Sequence, residues 1–304
     1  MQIRKAVITA AAPDQSTIPL QRLVDRDGHD KTALQLIVEE TLAAGIEEIC
    51  VVISPGHEES YRKAAGERIG SLCFAVQDRP RGYADAIATA KDFADGDPIL
   101  HLVGDHLYLS QTDRPCARQL VDVASELGCS VSAVQPTRES RLPYFGVVAG
   151  THVPRSENLY EVSRVVEKPT PTLAEQELVT AGLRSGHYLG FFGMHVLTRE
   201  ATDAIDEVVA EATRDGSPAT LSDALAKLPS RSRYLAYQTQ GMRYNIGIKY
   251  GLLVAQLAIG LSGKDRDQIL TELVELMALR PGGVGRPTDA GVSDGQAVAP
   301  DQRS

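Results

Sequence analysis

Three charged side chains stand where predicted strands end, and they could contact a phosphorylated ligand. Asp105 follows the apolar run 99–104, and a carboxylate at this position is a natural ligand for Mg²⁺. Glu167 and Lys168 precede Pro169, which ends another predicted strand; Glu167 could accept hydrogen bonds from hydroxyl groups, and Lys168 could bind a phosphate. Adjacent side chains on a strand point in opposite directions, so these two reach one ligand only if the strand bends. The alternatives are a capping role for Asp105 and an ordinary solvent-exposed Glu-Lys pair.

A loop of small residues follows the first predicted strand and is a further candidate. Ala10, Ala11 and Ala12 allow a ligand to approach the backbone, whose amides could hold phosphate oxygens, although an ordinary turn is the alternative. His106 lies beside Asp105, but the other histidines show no metal-ligand spacing for zinc. The sequence contains no G-x-S-x-G elbow, no G-x-x-x-x-G-K-[ST] phosphate loop, and no G-x-G-x-x-G after the first strand.

Alternating apolar runs and amphipathic segments must position these side chains. In the first half of the chain we predict strands at 6–10, 48–53, 73–77, 99–104 and 130–135, and helices at 32–44, 58–65, 84–93 and 117–127. This alternation predicts βαβ units and a mixed, mainly parallel α/β sheet with helices on both faces. Ligands of such sheets bind at the carboxyl ends of the strands, where Asp105 and the alanine loop are expected.

The second half has a different pattern. We predict strands at 145–149, 162–166, 188–197 and 234–238, and helices at 175–181, 200–214, 221–228, 250–261 and 266–279, of which 250–261 is expected to be buried. The last stretch, 281–304, is rich in Gly, Pro, Asp and Ser without periodicity, so we predict a disordered tail there after a C-terminal helix within 263–280.

Composition excludes several classes of protein. The chain has 304 residues with 43% hydrophobic and 23% charged side chains, which is typical of a soluble globular protein. A net charge of −9 disfavours a nucleic-acid partner. No apolar stretch reaches the roughly 18 residues of a membrane span, the N-terminus begins like a strand, and the cysteines form no C-x-x-C pair. We therefore predict a cytoplasmic protein with no membrane partner.

Several segments occur together in a characteristic order and spacing. They are K-A-V-I-T-A-A at 5–11, L-Q-L-I-V-E-E and A-A-G-I within 34–46, Q-D-R-P-R-G-Y-A-D-A at 77–86, G-D at 104–105, Y-F-G-V-V at 144–148, E-K-P at 167–169, L-S-D-A at 221–224 and R-Y-N-I-G at 243–247. In these segments the sequence resembles the sugar-phosphate nucleotidyltransferases, most closely the UTP–glucose-1-phosphate uridylyltransferase branch. The resemblance covers about residues 3–260.

The resemblance implies a Rossmann-like nucleotidyltransferase domain over residues 1–262, which would join a nucleoside triphosphate (UTP) to a sugar phosphate (glucose 1-phosphate) and release pyrophosphate. It implies catalytic roles for Lys168 and Asp105. The residues implied to bind the nucleotide are Ala11, Ala12, Gln77 and Gly82. The residues implied to bind the sugar phosphate are Gly146, Glu167, Lys168 and Gly193. The residues implied to hold Mg²⁺ are Asp105 and Asn245.

The sequence departs from the family pattern at three places. In the first loop, which reads A-A-G-x-G-T-R in the family and continues to a lysine, the glycine, threonine and arginine positions hold Ala12, Asp14, Gln15 and Ser16, and no lysine follows before Asp25. Asn245 replaces the second metal aspartate, and Ala84 replaces a glycine of the base-binding segment. The missing arginine would weaken neutralisation of the triphosphate.

These departures leave two functions open. One is an active nucleotidyltransferase in which Arg79 and Arg81 supply the missing positive charge; both could also simply be solvated. The alternative is a catalytically impaired homologue that binds sugar nucleotides as a sensor or scaffold. Gln77 is compatible with uracil or thymine. A homo-oligomer formed through the helices at 250–261 and 266–279 is possible, and ordinary core packing of those helices is the alternative.

Overall fold

A computed structural model describes residues 1–279, and its centre is a nine-stranded mixed sheet. The predicted tail at 281–304 lies outside the described residues. The strands are β1 (Lys5–Thr9), β2 (Arg22–Val24), β3 (Asp30–Thr32), β4 (Glu48–Ile53), β5 (Leu72–Val76), β6 (Ile99–Val103), β7 (His106–Ser110), β8 (Ser130–Arg138), β9 (Gly146–His152), β10 (Leu159–Glu167), β11 (His187–Leu197), β12 (Tyr234–Gln238) and β13 (Gly241–Asn245). The α-helices are α1 (Ala33–Ala43), α2 (Glu58–Ala65), α3 (Tyr83–Ala88), α4 (Lys91–Ala94), α5 (Cys116–Leu127), α6 (Pro171–Glu177), α7 (Arg199–Asp215), α8 (Leu221–Lys227), α9 (Gly251–Leu261) and α10 (Arg266–Ala278).

The first half of the sheet is parallel, as the alternation of strands and helices predicts. Its strand order is β5-β4-β1-β6, and helices lie between the strands of this half that follow one another along the chain. Strand β4 shows why these strands are apolar throughout: Ile49 and Val51 face one hydrophobic cluster, while Cys50 and Val52 face the other. Both faces of the strand are buried, so the strand is a continuous apolar run without polar alternation.

The second half of the sheet contradicts the prediction of a mainly parallel sheet. Among the described residues, only β8 and β12 pair in parallel here; β11 is antiparallel to β6 and β8, and β10 is antiparallel to β12 and β9. Strand β9 also pairs with β11, which closes β11, β8, β12, β10 and β9 into a ring. The connection from β9 to β10 is too short for a parallel crossover, which needs about a dozen residues, so β10 turns back and pairs antiparallel with β9.

Helices cover both faces of the sheet, as predicted. Residues of α1, α2, α5 and α9 pack into the cluster that contains Ile8 and Ile49, and residues of α3, α4, α7 and α8 pack into the cluster that contains Val7 and Val52. The carboxyl ends of β1 and β6 therefore open between two helical layers, and a ligand that approaches the parallel strands from that edge meets the loops that follow them.

Several predicted elements differ from the observed ones. The predicted helix 84–93 is two short helices, α3 and α4, and the predicted helix 175–181 begins earlier, as α6. Thr170 caps α6 through its side chain and Pro171 occupies the first turn, which fixes the start of that helix. Strands β2, β3, β7 and β13 are absent from the sequence-based prediction. Of these, β7 and β13 form a separate antiparallel ribbon that places Asn245 opposite His106.

Helix α9 is more exposed than predicted. In α9, Ala255 and Ile259 are buried, but Leu253 and Val254 are 56% and 51% exposed, so the helix is not buried all round. Helix α10 packs against α9 and has no buried residue. Homo-oligomerisation through these helices stays a prediction. Over residues 1–279 no helix has the length and apolar composition needed to cross a membrane.

Glu40 gives the fold a testable pH dependence. Its Oε1 accepts a hydrogen bond from the Ala117 N–H at the start of α5, at 2.8 Å. Burial raises the pKa of this carboxyl to about 7, and the backbone N–H groups of Ala117 and Cys116 only partly offset that effect. The folded state therefore binds a proton more tightly than the unfolded state, and stability falls as the pH rises from about 4.5 to about 7.

We expect a Glu40→Gln variant to lack this pH dependence, because glutamine stays neutral and can still accept the bond from Ala117. Each unit of pKa shift corresponds to about 1.4 kcal/mol of stability. Glu40 also lines a surface cavity between α1 and β7, where solvent reduces the total, so the wild type should lose on the order of 2 kcal/mol of stability relative to the variant between pH 5 and pH 8. Urea unfolding at both pH values measures the difference. The exposed Glu126→Gln is the control, and a constant difference between wild type and Glu40→Gln across this range would contradict the assignment.

Candidate active site

One cavity of about 630 Å³ lies at the carboxyl ends of β1 and β6. The residues that the family resemblance implies for nucleotide, sugar-phosphate and metal binding all line it, although they come from loops and strands far apart in the chain. They are Ala11, Ala12, Gln77, Gly82, Asp105, Gly146, Glu167, Lys168, Gly193 and Asn245. The structure brings these residues together, and the role of each stays a prediction.

The alanine loop presents free backbone amides to the cavity. Ala10 N–H still bonds to Val52 as a continuation of β1, but the N–H groups of Ala11 and Ala12 have no acceptor within residues 1–279. The Ala11 carbonyl accepts a bond from Ser54, and the Ala12 carbonyl accepts one from Gln15 N–H, so the loop is held in place. Two fixed, unpaired N–H groups can bind an anion such as a phosphate.

Gln77 and Gly82 lie at the entrance to α3. Gln77 extends β5 by a backbone bond to Ile53 and is 6% exposed. Gly82 has a φ of +122°, and a Cβ there would clash with the Ala219 carbonyl oxygen. The backbones at Gly82 and Ala219 are thus in direct contact, because Ala84 N–H bonds to Ala219 and Ala219 N–H bonds to Arg81. Only glycine fits at this position.

Asp105 emerges directly after β6 and is held by its neighbour. The His106 ring lies beside it, with Nδ1 at 2.7 Å from Asp105 Oδ1. Burial opposes ionisation of Asp105, but the adjacent His106 ring and the hydrogen bond between the two outweigh burial and lower the pKa of the carboxyl. Asp105 Oδ2 has no protein hydrogen-bond partner among the described residues, so an ionised oxygen is available to the cavity.

Asn245 lies next to Asp105 because the ribbon of β7 and β13 brings the two chain segments together. The Ile246 N–H bonds to the Asp105 carbonyl at 2.8 Å, and Asn245 pairs with His106. Asn245 Oδ1 accepts a bond from Gly247 N–H at 2.8 Å. An amide oxygen has two lone pairs, so it can accept this bond and coordinate a metal as well. One carboxylate and one amide oxygen are hard donors that fit Mg²⁺, which takes its other ligands from phosphate and water.

Glu167 is fixed at the end of β10 by Ser222, whose hydroxyl donates a hydrogen bond to Oε2 at 2.5 Å. Gly146, paired with Glu167 across β9 and β10, lies against the same serine. A Cβ at Gly146 would lie 2.6 Å from both Ser222 Oγ and the Phe191 ring. Ser222 uses only Oε2 of Glu167, so Oε1 can accept hydrogen bonds from a ligand in the cavity.

The chain bends at Lys168, as required if Glu167 and Lys168 are to reach the same ligand. Lys168 has a φ of +45°, which is uncommon for a residue with a side chain. Its Nζ lies 3.7 Å from Glu167 Oε1, and both side chains line the cavity. Backbone strain of this kind is concentrated at functional sites. Here the bend lets the Glu167 and Lys168 side chains face the same cavity, whereas on a regular strand they would point in opposite directions.

Position 193 also requires a glycine. It has a φ of +86°, and a Cβ would lie 2.9 Å from Val103 and 3.1 Å from the Tyr108 hydroxyl. That hydroxyl donates a hydrogen bond to the Gly193 carbonyl at 2.9 Å, at a register shift of β11 between Phe191 and His195. The shift and the bond fix the backbone of Gly193 against the cavity.

Positive charge at the cavity is sparse. Lys168 is the only lysine or arginine among the described residues that line it. Arg81 pairs with Asp85 at 3.0 Å, and neither Arg81 nor Arg79 lines the cavity, so charge compensation by these two arginines stays a prediction. Among the altered loop positions, Asp14 and Ser16 also lie outside the wall, and Ser16 is buried with its carbonyl bonded to Tyr61.

Several residues of the wall escape the sequence-based prediction. Tyr83 follows Gly82, and its buried hydroxyl lies close to Thr9 without a satisfactory hydrogen bond. Ser222 positions Glu167, and His106 bonds to Asp105. Ser222 lies inside the L-S-D-A segment, and Tyr83 and His106 each lie next to a predicted site residue. Their nearness in the sequence to these predicted residues is the signal that could have found them. Nothing local in the sequence indicates which of them turns into the cavity.

A mixed sheet with helices on both faces and a ligand-sized cavity at the carboxyl ends of its parallel strands is typical of the α/β proteins that bind nucleotides. Residues 24–231 match the family model described as Nucleotidyl transferase. The chain therefore belongs to the nucleotidyl transferase family.

Curated relatives are named as uridylyltransferases, and solved structures have a similar fold. The UTP–glucose-1-phosphate uridylyltransferase of Staphylococcus epidermidis is 27% identical over 300 residues, covering 90% of this chain and 98% of the relative. The protein of the same name from Streptococcus pneumoniae is 28% identical over 307 residues, covering 90% and 96%. A UDP-glucose pyrophosphorylase complexed with UDP-glucose has a similar fold, with a TM-score of 0.68 at 23% identity, over 84% of this chain and 98% of that one. A UTP-bound UGPase from Acinetobacter baumannii has a TM-score of 0.69 at 21% identity, over 92% and 100%.

Proposed function

We propose that this protein is a nucleotidyltransferase that joins UTP to glucose 1-phosphate in the presence of Mg²⁺, giving UDP-glucose and pyrophosphate. The observation that carries the proposal is the shared cavity, whose wall holds all the residues expected to bind nucleotide, metal and sugar phosphate. The names of the curated relatives support the choice of substrates. Both substrates are water-soluble, which is consistent with the predicted cytoplasmic location.

In the proposed reaction, an oxygen of the sugar 1-phosphate attacks the α-phosphorus of UTP. A new phosphorus–oxygen bond forms to the sugar phosphate, and the bond from the α-phosphorus to the bridging oxygen of the β-phosphate breaks, so pyrophosphate leaves with that electron pair. Lys168 would bind the sugar phosphate and hold its oxygen for attack, while Glu167 would accept hydrogen bonds from sugar hydroxyls. The free N–H groups of Ala11 and Ala12 would hold nucleotide phosphate oxygens. Such a reaction depends on positioning and charge neutralisation.

Asp105 and Asn245 would hold Mg²⁺ in this scheme. When bound, the ion neutralises charge that develops on the phosphates. Asp105 contributes the only carboxylate of this pair, and the His106 ring keeps that carboxyl ionised. Asn245 contributes a neutral oxygen, so the two residues together bring one negative charge to the ion.

The test is pyrophosphate release with UTP, glucose 1-phosphate and Mg²⁺. We expect release by the wild type that depends on all three, and release near background by Lys168→Ala prepared in the same way, which also controls for contaminating enzyme. Calorimetry measures UDP-glucose binding to both proteins. Wild-type release no greater than that of Lys168→Ala, together with binding of UDP-glucose, would rule out the proposed transferase activity.

A second candidate function, binding of sugar nucleotides without turnover, is favoured by the sparse positive charge at the cavity. Lys168 is the single cation of the described wall, and a triphosphate brings several negative charges. A binding-only protein would hold UDP-glucose more tightly than UTP, because UDP-glucose lacks the γ-phosphate. Thermal stabilisation by the two ligands, measured in parallel, distinguishes the candidates.

A further inference from the structure

The side-chain amide of Gln77 is held in one orientation. Its Nε2 donates to Asp85 Oδ2 at 2.7 Å and lies 3.5 Å from the Gly82 carbonyl oxygen. A carboxylate and a carbonyl can only accept hydrogen bonds, so the NH₂ group must face both of them. The Oε1 of Gln77 makes no bond to the protein among the described residues, and Gln77 lines the cavity. Gln77 therefore offers the cavity an acceptor and no donor.

Asp85 is itself fixed from the opposite side. It is 5% exposed, and its other oxygen, Oδ1, pairs with Arg81 Nη2 at 3.0 Å. Both carboxylate oxygens are thus used, one by a cation and one by Gln77. A buried carboxylate is costly unless its oxygens are hydrogen-bonded, so this three-residue chain is held as a unit. Arg81, Asp85 and Gln77 therefore form a continuous chain of polar contacts from the surface to the cavity.

We propose that Asp85 determines base specificity by positioning Gln77, so that the site selects a pyrimidine with a protonated ring N3, such as uracil, over cytosine. The N3–H of uracil can donate to Gln77 Oε1, whereas the unprotonated N3 of cytosine would place one acceptor against another. A site built around one hydrogen bond rejects an analogue that cannot make it by about a hundredfold or more. The inference rests on the proposed function, since it assumes that a nucleotide binds at Gln77.

The isosteric Asp85→Asn variant gives a directional test. Arg81 only donates, so the oxygen of the introduced amide must face Arg81 and its NH₂ group must face Gln77. Gln77 would then turn its Oε1 toward that NH₂ group, giving up the long 3.5 Å contact of Nε2 with the Gly82 carbonyl, and would present Nε2, a donor, to the cavity. We expect the wild type to bind UTP about a hundredfold more tightly than CTP, and we expect Asp85→Asn to lose or invert that preference. Calorimetry with each nucleotide measures the four dissociation constants.

Asp92→Asn, an exposed acid on the neighbouring helix α4, is the matched control and should keep the wild-type preference. A second measurement needs no variant: UTP methylated at N3 lacks the donor and should bind to the wild type about a hundredfold more weakly than UTP. If the wild type binds neither UTP nor CTP, the proposed function fails and this inference fails with it. If the wild type prefers UTP while Asp85→Asn keeps the same ratio, or if N3-methyl-UTP binds as well as UTP, the function stands and the role of Asp85 is overturned.

Discussion

Replacement of Asp105 by asparagine is expected to lower the rate of the proposed UDP-glucose formation by about a thousandfold, because it would remove the only carboxylate that Asp105 and Asn245 would offer to Mg²⁺. A bound metal contributes several kcal/mol of charge stabilisation, and each 1.4 kcal/mol or so corresponds to tenfold in rate. The variant keeps its shape and can still bond to His106, which lies 2.7 Å away. Pyrophosphate release measures the rate, and the Mg²⁺ dependence of UTP binding, measured by calorimetry, reports on the metal directly.

Asp14→Asn is the control for this variant. Asp14 is exposed on the loop after β1 and does not line the cavity, so its charge should matter little for turnover. We expect the rate of Asp14→Asn to stay within a few-fold of the wild-type rate. We expect Mg²⁺ to strengthen UTP binding to Asp14→Asn as much as it strengthens UTP binding to the wild type. An Asp105→Asn variant in which Mg²⁺ still strengthens UTP binding to the wild-type extent would show that the metal is held elsewhere.

The parallel half of the fold can be predicted from the sequence because its signals are local. The predicted bounds of strand β4 are the observed ones, and so are those of helix α2. A strand buried on both faces is a short apolar run bounded by turn residues, and the 54–56 turn ends β4 in this way. The prediction of strand β12 is also correct, although β12 lies in the second half, because it too is buried between neighbours.

The second half cannot be predicted in the same way because its pairing is not local. Strands β7 and β13 are separated by more than a hundred residues, and nothing in either segment specifies the other as its partner. The closure of the ring by β9 and β11 is of the same kind. A short strand of alternating residues is compatible with several partners, so its place depends on the assembled core.

The site shows the same division. Its residues can be listed from the sequence, but the contacts that give them their chemistry cannot. The pair Glu167 and Lys168 is ambiguous in the sequence because a regular strand separates such side chains, and only the left-handed backbone at Lys168 resolves it. The sequence makes Arg81 a candidate for phosphate neutralisation, and the structure shows that Arg81 also has a protein partner, the carboxylate of Asp85. A side chain with two available partners cannot be assigned to one of them from sequence spacing alone.

The substitution Gly146→Ala is expected to weaken binding of glucose 1-phosphate and UDP-glucose by about a hundredfold while leaving UTP binding nearly unchanged. The added Cβ would lie 2.6 Å from Ser222 Oγ, so the serine must move, and its hydrogen bond to Glu167 at 2.5 Å would be lost or redirected. Glu167 would then no longer be held toward the sugar, and displacement of a positioning group by about 1 Å costs about a hundredfold. Calorimetry with the three ligands measures the effect.

The selectivity of this loss is what distinguishes a sugar-binding role from general damage to the fold. Gly146 does not have a positive φ, so alanine adds no backbone strain, and the effect comes from the side-chain contacts alone. Gly70→Ala is the matched control, because a Cβ at that position meets open space and the variant should bind all three ligands like the wild type. If Gly146→Ala weakened UTP as much as UDP-glucose, the cavity as a whole would have been disturbed. If it weakened neither, the sugar would lie away from Glu167, and the sugar-binding assignment of Gly146 and Glu167 would be wrong.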